Sequence, residues 1–100
     1  MYTFINRFTV SGDTAEFERL IGEITDHMQT QPGFGSHALY RSGRNANVYL
    51  EIALWDSAAD HQAATGSPEF RSRVQQVIKL AAADPAPFDL VSEHAAGKVA

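Results

Sequence analysis

An α+β fold built on one antiparallel sheet is expected of this 100-residue chain, on three observations. Residues Tyr2 to Val10 alternate as a half-buried strand does, two residues per repeat. Phe17, Leu20, Ile21, Ile24 and Met28 recur at the spacing of one helix face. Ser36 to Arg41 and Asn47 to Trp55 then read as a hairpin, followed by two short capped helices and a last strand.

Each element follows from local chemistry. The first strand puts Tyr2, Phe4, Asn6, Phe8 and Val10 on one face and Thr3, Ile5, Arg7 and Thr9 on the other. Ser11-Gly12 turns the chain. Asp13 is a candidate N-cap, with Glu16 three residues on, as in a capping box. Pro32-Gly33 ends the helix and, with Phe34, opens the next strand. The polar loop Ser42-Gly43-Arg44-Asn45 joins the hairpin strands. Asp56 or Ser57 caps a short helix running to about Thr65. Ser67 caps another, with Pro68 at its first position, where a missing N–H costs least. Phe70, Val74, Val77 and Ile78 are its expected buried stripe. Ala81 to Pro87 reads as a connector and Phe88 to Ser92 as the last strand. The order β-α-β-β-α-β is the split β-α-β arrangement of ferredoxin-like folds. One domain over residues 1–100 is expected, with a core of about 2–92 and a tail of 93–100 that frays or reaches a partner.

Composition narrows the function classes. Hydrophobic residues make up 44% and charged residues 20%, as in a globular domain. A net charge of −4 argues against nucleic acid or an anionic membrane as partner. No apolar run approaches the ~20 residues of a membrane span, and no signal peptide is visible, so a cytoplasmic location is the default. Without cysteine there is no disulfide, thiolate nucleophile or thiolate metal site. There is no glycine-rich phosphate cradle, no H-x-x-x-H, no carboxylate cluster and no G-x-S-x-G elbow. The expectation is a protein that needs neither cofactor nor metal.

The third strand has two unlike faces. Val48, Leu50, Ile52 and Leu54 form a continuous apolar row, with Ile5 beside it, whereas Tyr49, Glu51, Ala53 and Trp55 are mixed. Either the row meets a second copy of the sheet, or it faces the helices and the mixed face is solvated. An uncovered row of that size is a liability for a monomer.

Taken in order, several signals are together more specific than any one alone. They are Pro32-Gly33-Phe34, the strand end Tyr40-Arg41-Ser42, Trp55 followed by Ser57, His61 on a helix, and Ser67-Pro68-x-Phe70. With the amphipathic helix before Pro32, this resembles the antibiotic biosynthesis monooxygenase family of small dimeric α+β barrels, over roughly Tyr2 to Ser92. The resemblance implies a homodimer whose two sheets form a barrel. It also implies a cofactor-independent monooxygenase that oxidises an aromatic, polyketide-like or quinol substrate with dioxygen. Two alternatives stay open. One is a noncatalytic small-molecule-binding or stress-associated dimeric barrel; the other is a polyketide cyclase or isomerase.

Candidate site residues follow. Asn6 is the strongly polar member of its strand face; a buried carboxamide needs a partner, either backbone or ligand. In related haem-degrading barrels an Asn at this position lies beside the substrate. Trp55 is a core aromatic by type and a pocket-rim residue by resemblance. Glu51 is a base if buried; otherwise it is solvated, or paired with Arg7 or Arg41. His61 can orient a phenol or take its proton near neutral pH, or can be an ordinary helix-surface histidine. Tyr40, Tyr49 and Phe17 complete the expected substrate contacts. His27 borders the helix stripe, His94 lies in the tail, and the side taken by His37 is undetermined. Many family members place a His four residues before the Pro of the last capped helix; here that position is Ala64, and the imidazole sits one turn earlier at His61. The haem-degrading branch needs a Trp there and a His ligand in the next helix. This chain has Ala64, with Arg73 and Val74 around the ligand position, so haem degradation is not expected.

Overall fold

The computed structural model describes residues 1–97. Seven elements follow one another: β1 (Tyr2–Val10), α1 (Thr14–Met28), β2 (Phe34–Arg41), β3 (Val48–Trp55), α2 (Ala58–Thr65), α3 (Pro68–Val77) and β4 (Ala81–Phe88). The strands form one antiparallel sheet in the order β2-β3-β1-β4. This is the α+β, ferredoxin-like arrangement expected from the sequence.

The caps act as their residue types require. The Asp13 carboxylate accepts from the backbone N–H groups of Ala15 and Glu16. Glu16 does not close the box. It turns to Arg19 instead, and that pairing holds its carboxyl below the usual range. Ser57 caps α2 through the N–H of Asp60, and Ser67 caps α3 through that of Phe70, with Pro68 in the first turn.

The helices cover one face of the sheet. Phe17, Leu20, Ile21, Ile24 and Met28 of α1 pack with Phe8, Val10, Tyr49, Ala53 and Trp55. The helix-facing rows are therefore Phe4, Asn6, Phe8 and Val10 on β1, and Tyr49, Glu51, Ala53 and Trp55 on β3. The apolar row takes the other side: Leu50 is 37% exposed, and its cross-strand neighbour Tyr40 is 57% exposed. Of the two arrangements left open by the sequence, the one with the apolar row turned away from the helices is found.

Three expectations need correction. The last strand is Ala81–Phe88, not Phe88 to Ser92; residues 89–97 lie outside any helix or strand. Proline marks this segment as a connector, but among the described residues β4 has a strand neighbour only in β1. An edge strand tolerates proline because half of its N–H groups point away from the sheet. Pro85 and Pro87, two apart, stand opposite Asn6 and Phe4. The second correction is Ile78, which is 61% exposed at the end of α3 rather than part of a buried stripe. The third is the helix-surface alternative for His61, whose side chain is buried.

The Pro32-Gly33-Phe34 turn explains why these signals travel together. Gly33 has φ 82°, a conformation that only glycine adopts freely. A Cβ there would collide with the Asp60 carboxylate. Its carbonyl accepts from the N–H of Asp56 at 2.8 Å. Glycine thus lets α2 sit directly on the turn. Phe34 is placed edge-on to Trp55, with ring centroids 5.4 Å apart. The residue after Asp60 is His61, so the turn also fixes the imidazole over the sheet.

Candidate functional site

Between the sheet and the helices lies a cavity of about 410 Å³. That falls within the ~300–1,000 Å³ typical of small-molecule sites. Its walls are apolar: Phe4, Phe8, Ile21, Ile24, Met28, Phe34, Ala53, Trp55, Phe70, Val74 and Val77 contribute. Small residues on β4 leave the space open. Ala83 and Pro85 stand opposite Phe8 and Asn6, where a large side chain would fill the void.

The polar groups at the wall are few: Asn6, Thr25, His37, Glu51, His61 and Thr65. Asn6 and Glu51 are direct cross-strand partners on β1 and β3, so they share the cavity floor. Among the described residues, Asn6 Oδ1 is buried and has no hydrogen-bond partner. Leaving such an acceptor unmatched costs ~1–3 kcal/mol, so a donor on a bound molecule would satisfy it. The alternative, that neighbouring backbone satisfies this oxygen, is not found.

His61 is only 9% exposed. Its ring stands 4.5 Å from that of Phe4, 5.3 Å from Tyr2 and 5.6 Å from Trp55, centroid to centroid. Burial pushes its imidazole below the ordinary histidine range, and the Glu51 carboxylate partly opposes the shift. At neutral pH the ring is therefore uncharged and keeps a free lone pair for a proton. His61 is thus not the solvated surface histidine that a short polar helix allows.

Glu51 is neither solvated nor paired with an arginine. Its Oε2 lies 2.8 Å from His37 Nε2, and both side chains are 13% exposed. His37 Nδ1 lies 3.5 Å from Thr25 Oγ1.

The structure brings Asn6, Glu51, Trp55 and His61 to one cavity and leaves out the other expected contacts. Phe17 is fully buried in the core, with Tyr49 against it, and neither lines the cavity. The Tyr49 hydroxyl donates to Glu18 at 2.6 Å. Tyr40 lies on the opposite face of the sheet. His27 reaches Ser67 Oγ at 3.3 Å and ties α1 to α3. His94 lies in the exposed stretch after β4.

The side taken by His37 does have a signal in the sequence. Counting outward from the hairpin loop pairs Arg41 with Tyr49, Leu39 with Glu51 and His37 with Ala53. That count puts His37 on the cavity face and Tyr40, opposite Leu50, on the other. A bulge between Phe34 and Ser36 spoils the same count from the turn end.

Comparison with known proteins agrees with this fold. The family model described as antibiotic biosynthesis monooxygenase matches residues 1–76. A deoxynogalonate monooxygenase from Streptomyces nogalater is 40% identical over 68 residues, covering 68% of this chain and 58% of that relative. The match thus spans less than two-thirds of the relative's length. The crystal structure of SnoaB, a cofactor-independent oxygenase from Streptomyces nogalater, superposes with a TM-score of 0.89 at 32% identity, covering 92% of this chain and 94% of that one. A conserved protein from Methanosarcina mazei shares the fold at 11% identity, with a TM-score of 0.70, over 86% of this chain and 92% of that one. By the span of the family match and by the fold, the chain belongs to the antibiotic biosynthesis monooxygenase family.

Proposed function

We propose that this protein is a cofactor-independent monooxygenase that oxidises an aromatic, polyketide-like or quinol substrate with dioxygen. The observation that carries the reading is the apolar cavity with a neutral imidazole on its helix side and an unpartnered amide oxygen on its floor. Membership of a family with oxygenase relatives supports it.

The chemistry asks little of the protein beyond a dry site and a proton acceptor. For a phenolic CH₂ compound of the anthrone type, the overall change is CH₂ + O₂ → C=O + H₂O. His61 takes a proton from the substrate. The resulting anion is electron-rich enough to pass one electron to dioxygen. The two radicals combine, a C–O bond forms and a peroxide anion results. Asn6 Oδ1 accepts a hydrogen bond from a substrate hydroxyl and fixes the ring on the sheet. Trp55, Phe4 and Phe70 enclose it. The same reading includes a homodimer joined through the Leu50 face, which the helices leave open.

Heavy-isotope dioxygen tests the proposal. With dithranol, a dihydroxyanthrone, as probe, one labelled oxygen is expected in the ketone product. Rearranged product without label would favour a cyclase or isomerase. Tight binding without turnover would favour a noncatalytic binding barrel.

A further inference from the structure

The reaction proposed above uses His61 and Asn6 but leaves His37 and Glu51 without a role. Both face the cavity, and Glu51 is the cross-strand partner of Asn6. Their contact is 2.8 Å, and each side chain is only 13% exposed. The hydroxyl of Thr25 donates to the carbonyl of Ile21 at 2.8 Å. Toward His37 Nδ1, at 3.5 Å, it can therefore act only as an acceptor. That favours a hydrogen on Nδ1 and leaves a single shared proton between Nε2 and the Glu51 carboxylate. The pair lies on the sheet side of the cavity, whereas His61 approaches from α2.

The second half of the oxidation moves a proton onto the peroxide and a second proton off the substrate carbon. We propose that the His37–Glu51 pair is a second acid–base site, the group that protonates the peroxide so that it collapses to carbonyl product and water. The inference rests on the oxygenase reading and extends it. After the C–O bond forms, the pair gives its proton to the distal peroxide oxygen. The remaining C–H proton returns to the pair as the O–O bond breaks and the carbonyl forms. The departing hydroxide takes the proton held by His61 and leaves as water. Two protons leave the substrate carbon and two end on the departing oxygen, so atoms and electrons balance. A lone base would have to release its first proton before the second could leave carbon.

The test compares the full chain with Glu51→Gln and His37→Gln, using dithranol in air and subtracting the protein-free reaction. Dioxygen uptake, anthraquinone formed and total peroxide, substrate hydroperoxide and hydrogen peroxide together, are measured. The parent is expected to form one carbonyl product per dioxygen. Both variants should keep taking up dioxygen, with product per dioxygen falling severalfold and the balance appearing as peroxide. This ratio does not depend on how much of a variant is folded. A ratio unchanged from the parent, at whatever rate, overturns the assignment. A parent that takes up no dioxygen with any electron-rich phenol overturns the oxygenase reading, and this role with it.

Discussion

The two faces of this sheet come from the same strands and differ in what they carry. The helix side holds Asn6, Glu51, His37 and the cavity, mixed with Phe4, Phe8, Ala53 and Trp55. The open side holds Ile5, Val48, Leu50, Ile52 and Leu54, the more continuous apolar row. An unbroken apolar row is thus a poor guide to where a chain buries its own core. The helices chose the face with the aromatic bulk of Trp55, Tyr49 and Phe8, each 4% exposed or less. Polar residues interrupting that face mark the site, because each one displaces packing and must be matched by another group or a ligand.

The largest expected contrast is in rate. His61→Gln should lower turnover by ~10²–10⁴-fold, the usual loss for a positioned base. Because the ring is buried against Phe4, Tyr2 and Trp55, the change should also cost ~1–3 kcal/mol in stability, more than a surface histidine would. Single-turnover rates and melts separate the two effects. Turnover equal to the parent's would remove His61 from the chemistry.

Trp55→Ala comes next. Deleting a ring that is 1% exposed should cost ~3–5 kcal/mol, and substrate binding should weaken with it. Denaturant unfolding measures the loss; a cost below ~1 kcal/mol would contradict the packing described.

On the open side the expectation reverses. Leu50→Glu should leave the protomer's circular dichroism intact and halve the sedimenting mass, from twice the 10.9 kDa chain to one copy. Parent protein that sediments as a monomer at micromolar concentration would rule out the dimer.

The smallest effect is in pH dependence. Burial lowers the folded His61 pKa below its ordinary 6.5. In acid, the unfolded chain then binds the proton more readily than the folded one. The stabilisation is fully present above pH 6.5 and is lost as pH falls from there through the folded pKa. His61→Gln should flatten that part of the stability profile. An unchanged slope would assign it to other groups.

Much of the fold was legible because its signals are local. Caps at Asp13, Ser57 and Ser67, the Pro32-Gly33 turn and the α1 stripe depend on neighbours a few residues away. What escaped depends on tertiary context. Pro85 and Pro87 look like a linker until β4 is known to be an edge. His61 looks solvated until Gly33 lets α2 close on the turn. The Asn6, Glu51 and Trp55 side of the cavity followed from strand alternation. His37 did not, because the bulge breaks the count from one end. Tyr49 lies on the helix-covered face of the sheet and Phe17 on the buried face of α1, but periodicity gives a face and not a depth.

Dioxygen uptake by metal-stripped protein, offered a panel of hydroquinones and anthrone-type phenols, tests the oxygenase assignment most directly. Saturable uptake with at least one of them, matched by ketone or quinone product and abolished with His61→Gln, is the expected result. Uptake that needs added flavin, haem or metal, or binding across the panel without any uptake, would contradict it.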